Sequence, residues 1–257
     1  MGVIDPMVEF SAWCDSEDTD VGAHSLRVLT SKPAHISTAR AAVAAAVPLH
    51  YASGEHIARV FARLGKSAAA DFIREKLPTN KSIKSGDLGE ILATEYIDDQ
   101  TAYVAPVKKL RWKDHRNMAM RGEDVIGFSE DSNGRLKFLK SEAKSRAYLA
   151  TAVLDDARIA LDKDNGLPSA HALQFISQRL LELGNLGLAD AIDDAQLKYG
   201  IAPRSVAHLL FTFSGNDARA MLKDSLEAYQ GRISQSSVGL HINRHGNFVE
   251  AVFDLVR

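Results

Sequence analysis

The order of apolar and polar positions divides this chain into alternating strand-like and helix-like runs. Residues 7–31 carry two strand-like runs, with the acidic stretch Asp15 to Asp20 expected as the loop between them. The Ala-rich run ARAAVAAAV then has high helix propensity and little else to distinguish it. Ile57, Val60, Phe61 and Leu64 fall at helical spacing, and Phe72 and Ile73 follow a break at Gly65, which predicts two packed helices ended by Pro78. A third helix is expected to begin within SGDLGEILATEYIDD, with Leu88, Ile91, Leu92 and Tyr96 as its apolar stripe.

Three short strands are expected next, at residues 102–106, 123–128 and 136–145. Helical spacing resumes through Leu161, pauses at DKDNGLP and continues with HALQFISQRLLELG towards Lys198. The nearly continuous apolar run SVAHLLFTF suits a strand buried on both faces. Asp217 to Tyr229 reads as a helix, and SVGLHIN with FVEAVFDLV as a closing hairpin turning at His245-Gly246-Asn247. Repeats and long linkers are absent, so residues 1–84 are expected to pack as an N-terminal region on a main unit spanning 85–257.

Composition narrows the classes. With 257 residues, 46% of them hydrophobic and 25% charged, the chain can bury a sizeable α/β core. A formal net charge of −2 gives no general attraction to nucleic acid, so any such binding needs a local basic patch. Cys14 is the only cysteine, which excludes an internal disulfide and a Cys-based zinc site. The first twenty residues lack the basic and apolar regions of a leader, and Pro6 stands where a myristoylation signal needs Ser or Thr. A soluble cytoplasmic protein without a membrane span is expected.

Several familiar motifs fail. Gly65-Lys66-Ser67 ends like a phosphate-binding loop but has Val60 where that loop needs glycine, so it reads better as a helix stop. Neither a G-x-S-x-G elbow nor H-E-x-x-H occurs, and the nine histidines show no metal or triad spacing.

One stretch carries chemistry: GEDVIGFSEDSNGRLKFLKSEAKSR, from Gly122 to Arg146. A two-residue Asn133-Gly134 turn would set Asp124 across from Ala143, while a three-residue loop of Ser132, Asn133 and left-handed Gly134 sets it across from Glu142. The second register also pairs Phe128 with Phe138 and puts Ile126 on their face, and is favoured partly for that hydrophobic match and partly for the chemistry of facing carboxylates. It leaves two carboxylates with Cβ atoms roughly 5 Å apart, which need a cation; hard oxygen ligands select Mg²⁺ or Mn²⁺. Lys144, two residues beyond Glu142, shares its face, which turns from apolar to charged at Lys140 as at the mouth of a cleft. Its ammonium can orient a water for phosphodiester hydrolysis.

Two features stay open at this level. Glu90 is either a third acid of this centre or the closing member of a capping box in Asp87-Leu88-Gly89-Glu90. The segment VKKLRWKDHRNMAMRGED, with Lys108, Lys109, Arg111, Lys113, Arg116 and Arg121 around Trp112, is either a solvated charged loop or a nucleic-acid-binding patch whose tryptophan stacks on an unpaired base.

The order of acidic helix, strand, basic segment, Asp strand, Glu-Ala-Lys strand, helix and buried strand resembles the PD-(D/E)xK nuclease superfamily. Residues 85–158, with SGDLGEILATEYI, VKKLRWKDHRNMAMRGEDVIGF and LKFLKSEAKSR, are similar to HamA, the nuclease-subunit family of Hachiman anti-phage systems. The resemblance implies a restriction-endonuclease-like αβββαβ core, a mixed central sheet flanked by helices with N-terminal and C-terminal additions. It implies Mg²⁺ or Mn²⁺ held by Asp124, Glu142, the Ala143 carbonyl and Glu90, water positioned by Lys144, DNA as substrate, and a superfamily 2 helicase (HamB-like) as restraining partner. Glu123 stands where the superfamily name has proline and is a second acid beside Asp124, but a neighbouring residue points to the opposite strand face, which makes Asp124 the better ligand given Glu142. A non-catalytic DNA-binding scaffold and an RNase using the same centre remain the other readings.

Overall fold

A computed structural model describes residues 8–256; Met7, where the first strand-like run was expected to start, the myristoylation positions and the first seven of the twenty residues read for a leader lie outside the described residues. Six strands form one mixed sheet in the order β1-β2-β6-β5-β4-β3. They are β1 (Cys14–Val21), β2 (His24–Ser31), β3 (Val125–Glu130), β4 (Leu136–Arg146), β5 (Val206–Ser214) and β6 (Gln235–His241). The two edge pairs, β1 with β2 and β3 with β4, are antiparallel, and the central pairings β2-β6, β6-β5 and β5-β4 are parallel.

The helices are α1 (Ile36–Tyr51), α2 (Gly54–Lys76), α3 (Lys81–Gln100), α4 (Thr151–Asp162), α5 (Ala170–Glu182), α6 (Leu186–Asp194), α7 (Arg219–Glu227) and α8 (His245–Leu255). Side chains alternate across each strand, so Leu209, Phe211 and Phe213 of β5 join the core under α1, α3 and α8. On the opposite face Leu210 packs with α4 and α7, and Ile126, Phe128 and Phe138 pack with α5 and α6. The expected double-sided burial of SVAHLLFTF is therefore observed. Among the described residues, no helix is long and apolar enough to cross a membrane.

Four expectations change. The acidic run Asp15 to Asp20 is the body of β1 rather than a loop, and the chain reverses at Gly22, whose φ is +61°. It forms an exposed edge, where charge opposes edge-to-edge association. The strand at 102–106 shrinks to one bridge between Val104 and Phe128, because Asp98 Oδ1 takes the Ala105 N–H (2.8 Å) and Pro106 has none to give.

The closing hairpin does not form: β6 runs parallel between β2 and β5, and FVEAVFDL belongs to α8. Its buried Phe248, Val249, Val252 and Phe253 fall at helical spacing that a short apolar run conceals. Finally, α2 breaks at Gly65 (φ +85°) as expected, yet only its second half buries Ala69 and Ile73, and Phe61 and Leu64 of the first half stay exposed.

Candidate active site

The hairpin between β3 and β4 takes the three-residue loop. Asp131 donates its N–H to the Arg135 carbonyl (2.9 Å), Gly134 donates back to the Asp131 carbonyl (2.9 Å), and Gly134 has φ +71°. Asp131 Oδ1 accepts from the N–H groups of Asn133 and Arg135, which fixes the turn from within. The ladder accordingly pairs Phe128 with Phe138 and Val125 with Ser141. One further step in that register brings Asp124 opposite Glu142.

The two carboxylates then part in their attachments. Asp124 Oδ2 accepts the Ala143 N–H at 2.8 Å, while Glu142 Oε1 is ion-paired with Lys144 Nζ. Burial raises the Glu142 pKa, and repulsion by Asp124 adds to the rise. Lys140, expected at the mouth of a cleft, is instead buried, and its ammonium donates to the carbonyls of Lys163 (2.8 Å) and Leu167 (3.0 Å).

Glu90 arrives from the middle of α3. That helix starts at Lys81, capped by Asn80, whose side chain accepts from the Ser82 and Ile83 N–H groups. Glu90 is thus far from the first turn, and the capping-box reading falls. Close approach of α3 to β4 depends on Gly89: a Cβ there would come within 2.9 Å of the Ser145 Cβ. Ser145 in turn bonds to Ser85 Oγ (2.8 Å) and His245 Nε2 (2.9 Å), which fastens β4 between α3 and α8.

Lys109 lies inside this group of acids. Its ammonium is 3.3 Å from Glu90 Oε2 and 3.6 Å from Asp124 Oδ1, and it donates to the Glu123 carbonyl at 2.9 Å. Glu90 Oε2 lies within ion-pair range but outside hydrogen-bond geometry, and is a buried oxygen without a hydrogen-bond partner. Burial pushes the Glu90 pKa up to about 8; Lys109 opposes that rise and Asp124 reinforces it. Burial alone would lower the Lys109 pKa, but Glu90, Asp124 and Glu142 together hold it above the ordinary lysine value.

Most of the other basic residues of the segment are also held by the protein itself. Lys108 pairs with Glu95 (3.2 Å) and Lys113 with Asp87 (2.6 Å), so with Lys109 they stitch the segment to three acids of α3. Glu95 also meets His50 Nε2 (2.7 Å), and Asp87 accepts from the Tyr51 hydroxyl (2.6 Å). Arg111 donates to the Leu49 carbonyl, and Arg116 makes a long contact (3.5 Å) with the Glu75 carbonyl. Trp112 meets Phe175 edge-on with the Arg179 guanidinium over its ring. Arg121 remains exposed and lines a cleft of about 460 Å³ with Met118, Met120, His171, Phe175 and Asp124.

Glu123 has a different task. Its carboxylate accepts the Ser169 N–H (2.7 Å) and hydroxyl (2.9 Å), which anchors the start of α5. That leaves Asp124 as the acid directed at Lys109 and Glu142.

Among the described residues, no three His, Cys, Asp or Glu side chains are grouped so as to hold a metal ion as they stand. The donor chemistry nonetheless fits a hard divalent cation: three carboxylates on converging elements, one with an oxygen lacking a hydrogen bond. The Lys109 ammonium stands between two of them, Glu90 and Asp124. The sequence read Lys109 as one of a basic run; its place among the acids was not legible there, because spacing within an irregular segment does not fix direction.

Fold and site together define a three-layer α/β protein with a buried carboxylate–lysine cluster at the end of an antiparallel strand pair. The HamA sequence profile matches residues 8–256, and the chain belongs to the HamA family. It is similar to the Hachiman protein HamA of Bacillus cereus, with 26% identity over 177 residues, 69% of this chain and 62% of that protein.

Proposed function

We propose that this protein is a metal-dependent DNA nuclease of a Hachiman anti-phage system, built on a restriction-endonuclease-like core and restrained by a superfamily 2 helicase. The observation that carries this reading is the register of β3 and β4, which sets Asp124 opposite Glu142 with Lys144 two residues on. Family membership supports the defence role and the helicase partner. The run α3, Val104 bridge, β3, β4, α4, β5 supports the αβββαβ core, with α5 and α6 inserted before its last strand.

Asp124, Glu142, Glu90 and the Ala143 carbonyl are the groups that would hold Mg²⁺ or Mn²⁺. When bound, the cation supplies stabilisation for negative charge gathering on a phosphate. Lys144, held by Glu142, orients water towards the scissile phosphorus. Arg121, and Arg116 once its weak contact opens, offer guanidinium forks to flanking phosphates. The cleft leads a nucleic-acid strand to Asp124 and Lys109, with Met118 and Phe175 available to an unpaired base.

The ion pairs that neutralise the acids also suit a second reading, a DNA-binding scaffold that does no cleavage. Incubating the purified protein with DNA and Mg²⁺, beside a folded Lys144→Ala variant, separates the two. Degradation by the wild type, reduced at least 100-fold in the variant, supports the nuclease; equal rates from both proteins remove the proposed site. Matched RNA in the same assay tests the sugar, which the metal chemistry does not itself select.

A further inference from the structure

We infer that Lys109 is a built-in placeholder cation: its ammonium occupies the resting centre, and a divalent ion enters only as Lys109 withdraws and a substrate phosphodiester arrives. This rests on the reading of the acids as a metal centre and specifies how that centre is filled.

The geometry gives Lys109 three oxygen neighbours at the point the acids share: Glu90 Oε2 at 3.3 Å, Asp124 Oδ1 at 3.6 Å and the Glu123 carbonyl at 2.9 Å. Its side chain is only 12% exposed, so the ammonium has given up water for these contacts. A lysine bound for solvent or DNA phosphate would not be drawn inward in this way. Lys108 and Lys113, its neighbours in the segment, each meet a single acid of α3. Lys109 alone among these three spans from α3 to Asp124, the residue just before β3.

Charge then sets the order of events. Once a divalent ion holds Glu90, Asp124 and Glu142 in their ionised forms, their three negative charges face the two ammonium groups of Lys109 and Lys144. With that ion counted, one excess positive charge is left in a buried place, where it is poorly tolerated. One phosphodiester cancels it. Metal affinity is therefore weak in the free protein and rises with nucleic acid, and the Glu123 carbonyl, already bonded to Lys109, offers its ammonium a hold outside the acids during the exchange.

The test is Mn²⁺ binding to the full chain, read by the paramagnetic resonance of free Mn²⁺ without any turnover. Lys109→Met is expected to bind Mn²⁺ at least tenfold tighter than wild type when no DNA is present. A phosphorothioate DNA oligonucleotide is expected to tighten the wild type at least tenfold and the variant much less. Should the variant unfold once its acids lose their counter-ion, millimolar Mn²⁺ is expected to restore its melting transition, which supports the same conclusion. Wild type and variant binding Mn²⁺ equally well, with Glu142→Ala abolishing both, overturns the placeholder and leaves the metal centre standing. A variant that stays unfolded in millimolar Mn²⁺ also overturns it. If neither protein binds Mn²⁺ with or without the oligonucleotide, the metal centre itself is lost and the inference with it.

Discussion

Gly89 of α3 lies so close to Ser145 of β4 that a side-chain methyl would come within 2.9 Å of the Ser145 Cβ. The contact holds the helix bearing Glu90 against the strand bearing Glu142 and Lys144, so the spacing of the acids depends on a missing atom. Elsewhere in a helix, alanine would be better than glycine by about 1 kcal/mol. Here overpacking, typically about 1–3 kcal/mol, is expected to win. Urea unfolding of Gly89→Ala should show a loss of stability; a gain would mean that α3 and β4 separate freely.

The adjacent acids Glu123 and Asp124 should separate in their effects. Glu123→Ala removes the acceptor for the Ser169 N–H and hydroxyl and is expected to lower stability by about 1–3 kcal/mol. Mn²⁺ affinity should stay within about twofold of wild type. Asp124→Asn keeps an oxygen for the Ala143 N–H and should leave the melting temperature nearly unchanged, while Mn²⁺ binding falls at least tenfold. Calorimetry on both variants decides, and the reverse pattern would exchange their roles.

Two buried groups give the stability opposite pH signatures. Burial lowers the His50 pKa to about 4 from the ordinary 6.5, so between those values the unfolded chain holds a proton that the folded chain refuses. Its contribution is complete above pH 6.5 and is lost as pH falls towards 4, by roughly 1.4 kcal/mol per pH unit. Glu90, raised to about 8 from 4.5, works the other way: its contribution is complete below pH 4.5 and is lost as pH rises through 8. Relative to wild type, His50→Gln is expected to gain stability as pH drops from 6.5 to 4, and Glu90→Gln as pH rises from 4.5 to 8. Melting curves across this range check both signs; parallel curves for wild type and either variant would contradict the burial of that group.

The hairpin was readable in advance because two independent constraints agreed. Gly134 supplies the left-handed residue that a three-residue loop needs, and the same loop pairs Phe128 with Phe138. The third helix was readable from Leu88, Ile91, Leu92 and Tyr96, but its start was not: the Asp87-to-Glu90 pattern imitates a cap, while Asn80 holds the real one. The strand at 102–106 and the closing hairpin failed for lack of such agreement. Ala105 gives its N–H to a side chain, and the apolar pairs of residues 248–253 fit either period. Lys109 was visible only as a charge. Which way a lysine in an irregular segment turns depends on acids supplied by α3, and linear spacing carries no record of that.

The most direct test of the centre is to locate Mn²⁺ by anomalous X-ray scattering in crystals of the full chain grown with a phosphorothioate DNA oligonucleotide. The expected result is a manganese peak between the carboxylates of Asp124 and Glu142, with a phosphate beside it and the Lys109 ammonium drawn away from the acids. An oligonucleotide bound in the cleft with Lys109 still between Glu90 and Asp124, and no manganese there, would contradict the assignment of these residues as a metal-dependent nuclease centre.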